Sequence, residues 1–123
     1  MSELRILCVD DEPRILEGIE NNLGFDFDVT TAGSGKEGLR CLEYRGPYSV
    51  VISDMRMPEM NGAEFLAKVR ERWPDTVRIL LTGQADAEAI ERAHQVAQVA
   101  EVFHKPWDID ELTTAIRREL EQP

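Results

Sequence analysis

The sequence is poor in cysteine and in positive charge. Its 123 residues include only two cysteines, Cys8 and Cys41, which are far apart and form no CxxC motif. A disulfide scaffold is therefore excluded, and both residues are best interpreted as buried thiols of a reducing compartment. Fourteen basic residues stand against twenty-four acidic ones, which gives a net charge of −10. Direct nucleic-acid binding needs clustered lysine and arginine, so we expect no such function.

Long apolar runs are also missing. No segment approaches the roughly 20 apolar residues that a membrane helix needs. The opening residues, MSELRILCVDD, lack the basic flank and apolar stretch of a secretory signal. We therefore expect a cytoplasmic protein without membrane association. With 42% hydrophobic and 31% charged residues, the sequence predicts a soluble, globular protein with a single domain over residues 1–123.

What the sequence does contain is a fivefold alternation of apolar runs and amphipathic patterns. The alternation predicts an α/β fold with a parallel sheet and helices on both faces, because parallel strands need crossover connections. The helix predicted over 86–96 is rich in alanine, so we expect it to pack more weakly than its neighbours. The predicted strands are 5–9, 28–32, 50–52, 77–81 and 99–104, and the last four helices begin near Ser34, Gly62, Asp86 and Asp108.

Polar residues follow four of the five predicted strands. The first strand leads into Asp10 and Asp11, the third into Asp54, the fourth into Thr82 and the fifth into Lys105. In an open parallel sheet these carboxyl ends share one edge, where such sheets bind ligands. Each residue alone has an ordinary explanation, such as a helix cap, a turn or a surface lysine. The functional interpretation depends on all of them meeting at that edge.

The combined set predicts phosphoryl chemistry. Close carboxylates repel one another unless a cation neutralises them, and hard oxygen ligands suit Mg²⁺. A lysine suits a phosphoryl oxygen, and a threonine hydroxyl can donate to another oxygen. A carboxylate can also act as a nucleophile and form an aspartyl phosphate. The predicted site is thus an acidic Mg²⁺ pocket with a carboxylate that accepts a phosphoryl group.

The order and spacing of these residues resemble the receiver domain of two-component response regulators. The matching positions are Asp10-Asp11, Asp54 with Met57-Pro58 and Gly62 after it, Thr82, and Lys105-Pro106. The resemblance covers essentially the whole chain. It implies a (βα)5 flavodoxin-like fold with strand order 2-1-3-4-5.

The resemblance also implies a role for each site residue. Asp54 would accept a phosphoryl group from a histidine kinase or a phosphotransfer protein. Asp11, Asp54 and the backbone carbonyl of Arg56 would ligate Mg²⁺, with Asp10 holding the ion through water. Lys105 would pair with phosphoryl oxygens, and Thr82 would move to the phosphoryl group and switch the surface near the last two helices.

Family resemblance further implies a phosphoacceptor rather than an enzyme, with Mg²⁺-dependent autophosphorylation and autodephosphorylation. Arg56 and Gln84 would occupy the two positions that tune dephosphorylation. The expected partners are the phosphodonor and an output domain or downstream protein, with a homodimer as a further option. No output domain follows Pro123, so the sequence leaves open a stand-alone receiver or part of a longer protein.

One departure from the family pattern concerns signal readout. The switch aromatic usually lies three residues before the lysine, but Val102 occupies that position and Phe103 comes one place later. Adjacent strand residues point to opposite faces, so we expect Phe103 to belong to the core. This departure keeps open a second hypothesis, a receiver-fold interaction module that is never phosphorylated. A third, an aspartate-nucleophile phosphatase, is disfavoured because Arg56 replaces the second acid of the DxD pattern.

Overall fold

The computed structural model describes residues 4–83 and 87–121, in which strands and helices alternate as the sequence predicts. The strands are β1 Arg5–Val9, β2 Asp28–Ala32, β3 Val50–Asp54, β4 Val77–Thr82 and β5 Glu101–His104. The helices are α1 Pro13–Leu23, α2 Gly35–Arg45, α3 Gly62–Arg72, α4 Ala87–Ala97 and α5 Ile109–Glu121.

All five strands join one parallel sheet in the order β2-β1-β3-β4-β5. Both the strand order and the flavodoxin-like fold class are therefore confirmed. The register aligns Val9 with Ser53 across β1 and β3, and Thr82 with His104 across β4 and β5. The carboxyl ends of these four strands consequently lie side by side.

The sheet separates two apolar clusters because successive strand residues point to opposite faces. In β1, Leu7 and Val9 belong to the cluster beneath α2, α3 and α4, whereas Ile6 and Cys8 belong to the cluster beneath α1 and α5. The central strand β3 is buried along its whole length, which is typical of a parallel strand covered on both faces.

Side-chain caps fix where three of the helices begin. Ser34 accepts a hydrogen bond from the backbone of Glu37, and Asp108 accepts two from the first turn of α5. Asn61 and Glu64 form a reciprocal capping box at α3. These caps satisfy backbone N–H groups that a helix leaves unpaired at its start.

The structure corrects several predicted boundaries. Strand β3 includes Asp54 and β4 includes Thr82, so both residues are held by the sheet rather than by loops. Strand β5 begins at Glu101 rather than at 99, because Gln98 has a φ of 46° and ends α4 in the left-handed region. Asp86, the predicted start of the fourth helix, lies outside the described residues. None of the described helices is long and apolar enough to span a membrane.

Candidate functional site

The sheet brings the predicted site residues to one edge. Asp10 follows β1 directly, Asp54 is the last residue of β3, Thr82 is the last of β4, and Lys105 follows β5. Asp10, Asp54 and Thr82 are buried, with 2%, 6% and 3% of their surface exposed. Asp11 is exposed beside them. The expectation that these strand ends form one polar group is borne out by this geometry.

Lys105 links the edge together. Its Nζ lies 2.7 Å from Asp54 Oδ1 and 3.8 Å from Asp10 Oδ2. Its backbone N–H donates to the carbonyl of Thr82 at 2.7 Å, which holds the lysine beside β4. Burial alone would lower the pKa of Lys105, but the hydrogen bond and charge of Asp54, with the charge of Asp10, outweigh it and raise that pKa.

Asp10 lies in an environment that disfavours its charged form. Its Oδ1 accepts a hydrogen bond from the backbone of Glu12 at 2.9 Å, whereas its Oδ2 is buried without a hydrogen-bond partner. The 3.8 Å to Lys105 is an ion-pair distance and too long for a hydrogen bond. Burial, followed by the charge of Asp54, raises the pKa of Asp10 to about 6, although the Glu12 hydrogen bond opposes the shift.

These carboxylates fit a hard cation. Among the described residues, Asp10, Asp11 and Asp54 each offer an oxygen, and the three oxygens lie within 4.8 Å of one another. The unpartnered Oδ2 of Asp10 is a ready acceptor for a water molecule or an ion. Mg²⁺ takes one or two carboxylates together with waters and phosphate oxygens. The donor set of this edge therefore matches the cofactor that the sequence predicts.

The turn between β3 and α3 holds Asp54 in place. The Met55 N–H donates to Leu81, and the Gly62 N–H donates to Met55 at 2.8 Å, so the turn folds back on the strand end. A Cβ at position 62 would clash with the carbonyl oxygen of Asp54. The sequence predicted a helix that begins near Gly62, but it gave no sign of this close approach to the site.

The sequence also singled out Arg56, Met57 and Gln84. Arg56 is exposed and lines a shallow cleft with Asp11, Met57 and Pro58. Met57 belongs to the core cluster beneath α2, α3 and α4. Gln84 lies outside the described residues. The cleft otherwise contains Met55, Asn61 and Ala89.

The two candidate readout residues on β5 face opposite sides, as alternation predicts. Val102 packs against the cluster beneath α2, α3 and α4, and Phe103 packs against the cluster beneath α1 and α5. Both are partly buried. The face that the family uses for its switch aromatic is thus occupied here by valine, while the aromatic ring contributes to the other cluster.

The fold and the acidic strand ends define a class of flavodoxin-like α/β modules with a carboxylate-rich edge, and sequence comparison specifies the family. The model of the response regulator receiver domain matches residues 6–117. The chain belongs to the response regulator receiver domain family. It is therefore a receiver module of two-component signal transduction, as its resemblance implied.

Similar proteins agree with this assignment. The chain is 40% identical over 116 residues to the hydrogenase transcriptional regulatory protein HoxA of Cupriavidus necator, matching 94% of this chain and 24% of that protein. It is 35% identical to a probable chemotaxis protein CheY of Rhizobium etli, covering 93% of this chain and 90% of that protein.

Solved structures also include close matches. The signal receiver domain of an HD domain-containing protein from Pseudomonas fluorescens Pf-5 superposes with a TM-score of 0.93 at 32% identity, covering 97% of this chain and 95% of that one. The chain spans about a quarter of the length of HoxA and of the DNA-binding transcriptional regulator NtrC of Escherichia coli, 24% in each case.

Proposed function

We propose that Asp54 accepts a phosphoryl group and that the chain acts as a phosphorylation-dependent switch. The observation that carries this proposal is the contact between Lys105 Nζ and Asp54 Oδ1 at 2.7 Å, with two further carboxylates beside it. A carboxylate nucleophile, a fixed cation and a cation-binding donor set are what phosphoryl transfer requires, since its catalysis is mainly positioning and charge neutralisation.

The proposed donor is a phosphohistidine of a sensor kinase or a phosphotransfer protein. An oxygen of Asp54 attacks the phosphorus and forms the P–O bond of an acyl phosphate. The P–N bond to the donor imidazole breaks, and its electron pair stays on the imidazole nitrogen. The Nζ of Lys105 contacts Oδ1 of Asp54. The positive charge of the lysine therefore stabilises negative charge on the transferred group.

Mg²⁺ is the proposed cofactor, held by Asp11, Asp54 and the backbone carbonyl of Arg56, with Asp10 acting through water. When bound, the ion neutralises charge on the phosphoryl oxygens and on the carboxylates. Asp10 contributes a buried acceptor at 2% exposure, and Glu12 orients it through the hydrogen bond to Oδ1. Lys105 alone cannot balance the three carboxylates of this edge.

Thr82 is proposed to respond to the phosphoryl group and to change the surface formed by α4, β5 and α5. Its position at the end of β4, joined to Lys105 by a backbone hydrogen bond, supports this role. HoxA and NtrC are named as transcriptional regulators, which supports an output domain or a separate partner protein as the recipient. Cytoplasmic location, a possible homodimer and the absence of direct nucleic-acid binding stay predictions.

Acetyl phosphate tests the central step without a kinase. We expect the intact chain to gain the mass of one phosphoryl group when Mg²⁺ is present, and to lose it by autodephosphorylation. Chelation of Mg²⁺ and the Asp54→Asn variant should each abolish the gain. Equal labelling of Asp54→Asn, or no labelling of the wild type, contradicts the proposal.

The second candidate is a receiver-fold interaction module that works without phosphorylation. Val102 at the usual aromatic position favours it, because the coupling between Thr82 and an aromatic ring is then altered. Partner binding that is identical for wild type and Asp54→Asn, with and without acetyl phosphate, would support this module and contradict the switch.

A further inference from the structure

Helix α4 is attached to the rest of the fold unevenly. Its two buried side chains, Ala93 and Ala97, both lie in its second half, and no residue from 87 to 92 is buried. Alanine buries little apolar surface, so this helix gains less from packing than α3, which buries Phe65, Leu66 and Val69. A polar interaction adds to the packing of these two alanines at the carboxyl end of α4.

Arg78 supplies that interaction. It lies within the apolar strand β4 and is only 9% exposed. Its Nε donates to the carbonyl of Ala97 at 2.7 Å, and its Nη2 donates to the carbonyl of Gln98 at 3.4 Å. Its Nη1 donates to the carbonyls of Pro74 and Thr76, at 3.2 and 2.9 Å. One guanidinium thus joins the end of α4 to the turn between α3 and β4.

A second arginine acts at the same helix end. Arg70 of α3 donates from Nη1 to the carbonyl of Val96 at 3.3 Å. Three consecutive carbonyls, those of Val96, Ala97 and Gln98, are therefore bound by arginines from neighbouring elements. The last carbonyls of a helix lack partners within the helix, so these bonds satisfy acceptors that would otherwise be unpaired.

The charges at this helix end are unusual. Across residues 4–83 and 87–121, no carboxylate forms an ion pair with Arg78, although the group is buried. Burial, and then the positive charge of Arg70, lower the pKa of Arg78. The partial negative charge at the carboxyl end of α4 is the compensating interaction. Both arginines therefore favour keeping that end where it is.

We propose that Arg78, assisted by Arg70, is a positioning residue that fixes the carboxyl end of α4, so that the helix moves as a lever about residues 96–98. The amino end of α4 is the part that follows Thr82 in the chain, because the helix begins at Ala87, four residues beyond Gly83. Displacements that begin at Thr82 then reach the amino end of α4 first and are resisted at the arginine-bound end. As a signalling role, this inference rests on the proposed function; as a property of the fold, it does not.

Hydrogen exchange of the unmodified chain tests the attachment directly. In the wild type, amides near the end of α4 should exchange slowly. In Arg78→Gln, the amides of residues 94–98 should exchange roughly tenfold faster or more, since several buried hydrogen bonds are lost. Amides of α3 and of β1 report global stability and should change much less. A uniform increase over the whole chain would show a general structural role and overturn the proposal.

Three further variants sharpen the comparison. Arg92→Gln removes an arginine from the exposed surface of α4 and should leave the exchange of 94–98 unchanged. Arg70→Gln should produce a smaller effect than Arg78→Gln, because it affects one carbonyl. Arg78→Lys should restore protection only in part, since an ammonium lacks the planar fork that spans separate acceptors. Full protection in Arg78→Gln would contradict the proposal.

Beryllium fluoride with Mg²⁺, a mimic of the phosphoryl group, extends the test to signalling. In the wild type we expect the mimic to change hydrogen exchange at the start of α4 and to change it little at residues 94–98. In Arg78→Gln the changes in exchange should spread through the helix. Equal mimic-dependent changes in hydrogen exchange at both ends of α4 in the wild type would overturn the proposed lever motion. If the mimic changes nothing anywhere, the proposed phosphoacceptor function fails, and the exchange of the unmodified variants still decides the role of Arg78.

Discussion

Asp10 and Asp11 are adjacent in sequence but differ sharply in environment. Asp10 is 2% exposed and keeps one carboxylate oxygen without a hydrogen-bond partner, whereas Asp11 is exposed. The difference follows from their positions, because the backbone of Asp10 still donates a hydrogen bond to Ala32 at the end of β2, whereas Asp11 lies in the bend that leads to α1. The site therefore combines a buried carboxylate that is costly to ionise with an exposed one. A cation brought to this pair would offset the cost of ionising Asp10.

Replacing Asp10 by asparagine should stabilise the metal-free protein. The buried charge and its repulsion with Asp54 disappear, while the amide can still accept from Glu12. Since the fold raises the pKa of Asp10, ionisation at pH 7 destabilises the native state, and the free energy of unfolding should rise by roughly 1–3 kcal/mol. Urea denaturation at pH 7 in the presence of a chelator measures this change in the free energy of unfolding.

Asp75→Asn is the matched control for this change, because Asp75 is exposed in the turn before β4. We expect its free energy of unfolding to stay within about 0.5 kcal/mol of the wild type. An Asp10→Asn protein that is less stable than the wild type would contradict the electrostatic account of the site.

Lys105→Gln should slow phosphorylation by acetyl phosphate at least about tenfold, because the fixed positive charge next to the nucleophile is lost. The rate of mass gain with Mg²⁺ present measures the effect. Lys68→Gln, an exposed lysine on α3, serves as the control and should label at the wild-type rate. Equal rates for Lys105→Gln and the wild type would remove Lys105 from the mechanism.

At the scale of elements, helix α3 and its leading turn connect the core to the site. The capping box of Asn61 and Glu64 starts the helix, and Phe65, Leu66 and Val69 anchor it in the core. The backbone hydrogen bond from Gly62 to Met55 then fixes the turn behind Asp54. The position of the phosphoacceptor thus depends on where a helix begins.

Gly62→Ala should destabilise the protein by on the order of 2 kcal/mol, because the added Cβ clashes with the carbonyl of Asp54 and the backbone must shift. Phosphorylation by acetyl phosphate should slow in the same variant. Gly18→Ala is the contrasting control, since nothing lies within 4 Å of a Cβ there. Removing a mid-helix glycine should stabilise the protein by about 0.5–1 kcal/mol. Similar effects of both variants would contradict this account.

Most elements could be predicted because local and tertiary preferences agree. Ser34 and Asp108 mark helix starts by side chains that the structure shows capping them. The start of β5 could not be predicted, because the left-handed Gln98 and the hydrogen bond from Ala100 to Arg78 depend on tertiary packing. The role of Arg78 was missed for the same reason, although an arginine inside the apolar run VRILL was a visible signal.

The site was predictable in its composition but not in its geometry. Five parallel strands force Asp10, Asp54, Thr82 and Lys105 to one edge, so the sequence pattern was sufficient to group them. The distances depend on how the side chain of Lys105 is placed: its Nζ lies 2.7 Å from Asp54 and 3.8 Å from Asp10. The pattern and spacing of residues in the sequence cannot predict such interatomic distances.

For the whole molecule, the net charge of −10 and the acidic edge predict stabilisation by Mg²⁺. A ligand that binds only the folded state raises the free energy of unfolding, by about 1–3 kcal/mol at concentrations well above its dissociation constant. Thermal unfolding with Mg²⁺, compared with sodium chloride of equal ionic strength, separates specific binding from screening.

The variants Asp11→Asn and Asp54→Asn should lose most of this specific effect, and a chelator should reverse it in the wild type. Stabilisation of equal size in sodium chloride, or an undiminished Mg²⁺ effect in both variants, would show that the acidic edge does not bind the ion.

Identification of the modified residue tests whether Asp54 carries the phosphoryl group. Borohydride reduces an aspartyl phosphate to homoserine, which peptide mass spectrometry locates. After treatment with acetyl phosphate and Mg²⁺, followed by borohydride, we expect homoserine at position 54 and nowhere else. Homoserine at position 10 or 11, or a labelled protein that yields none at 54, would contradict the account.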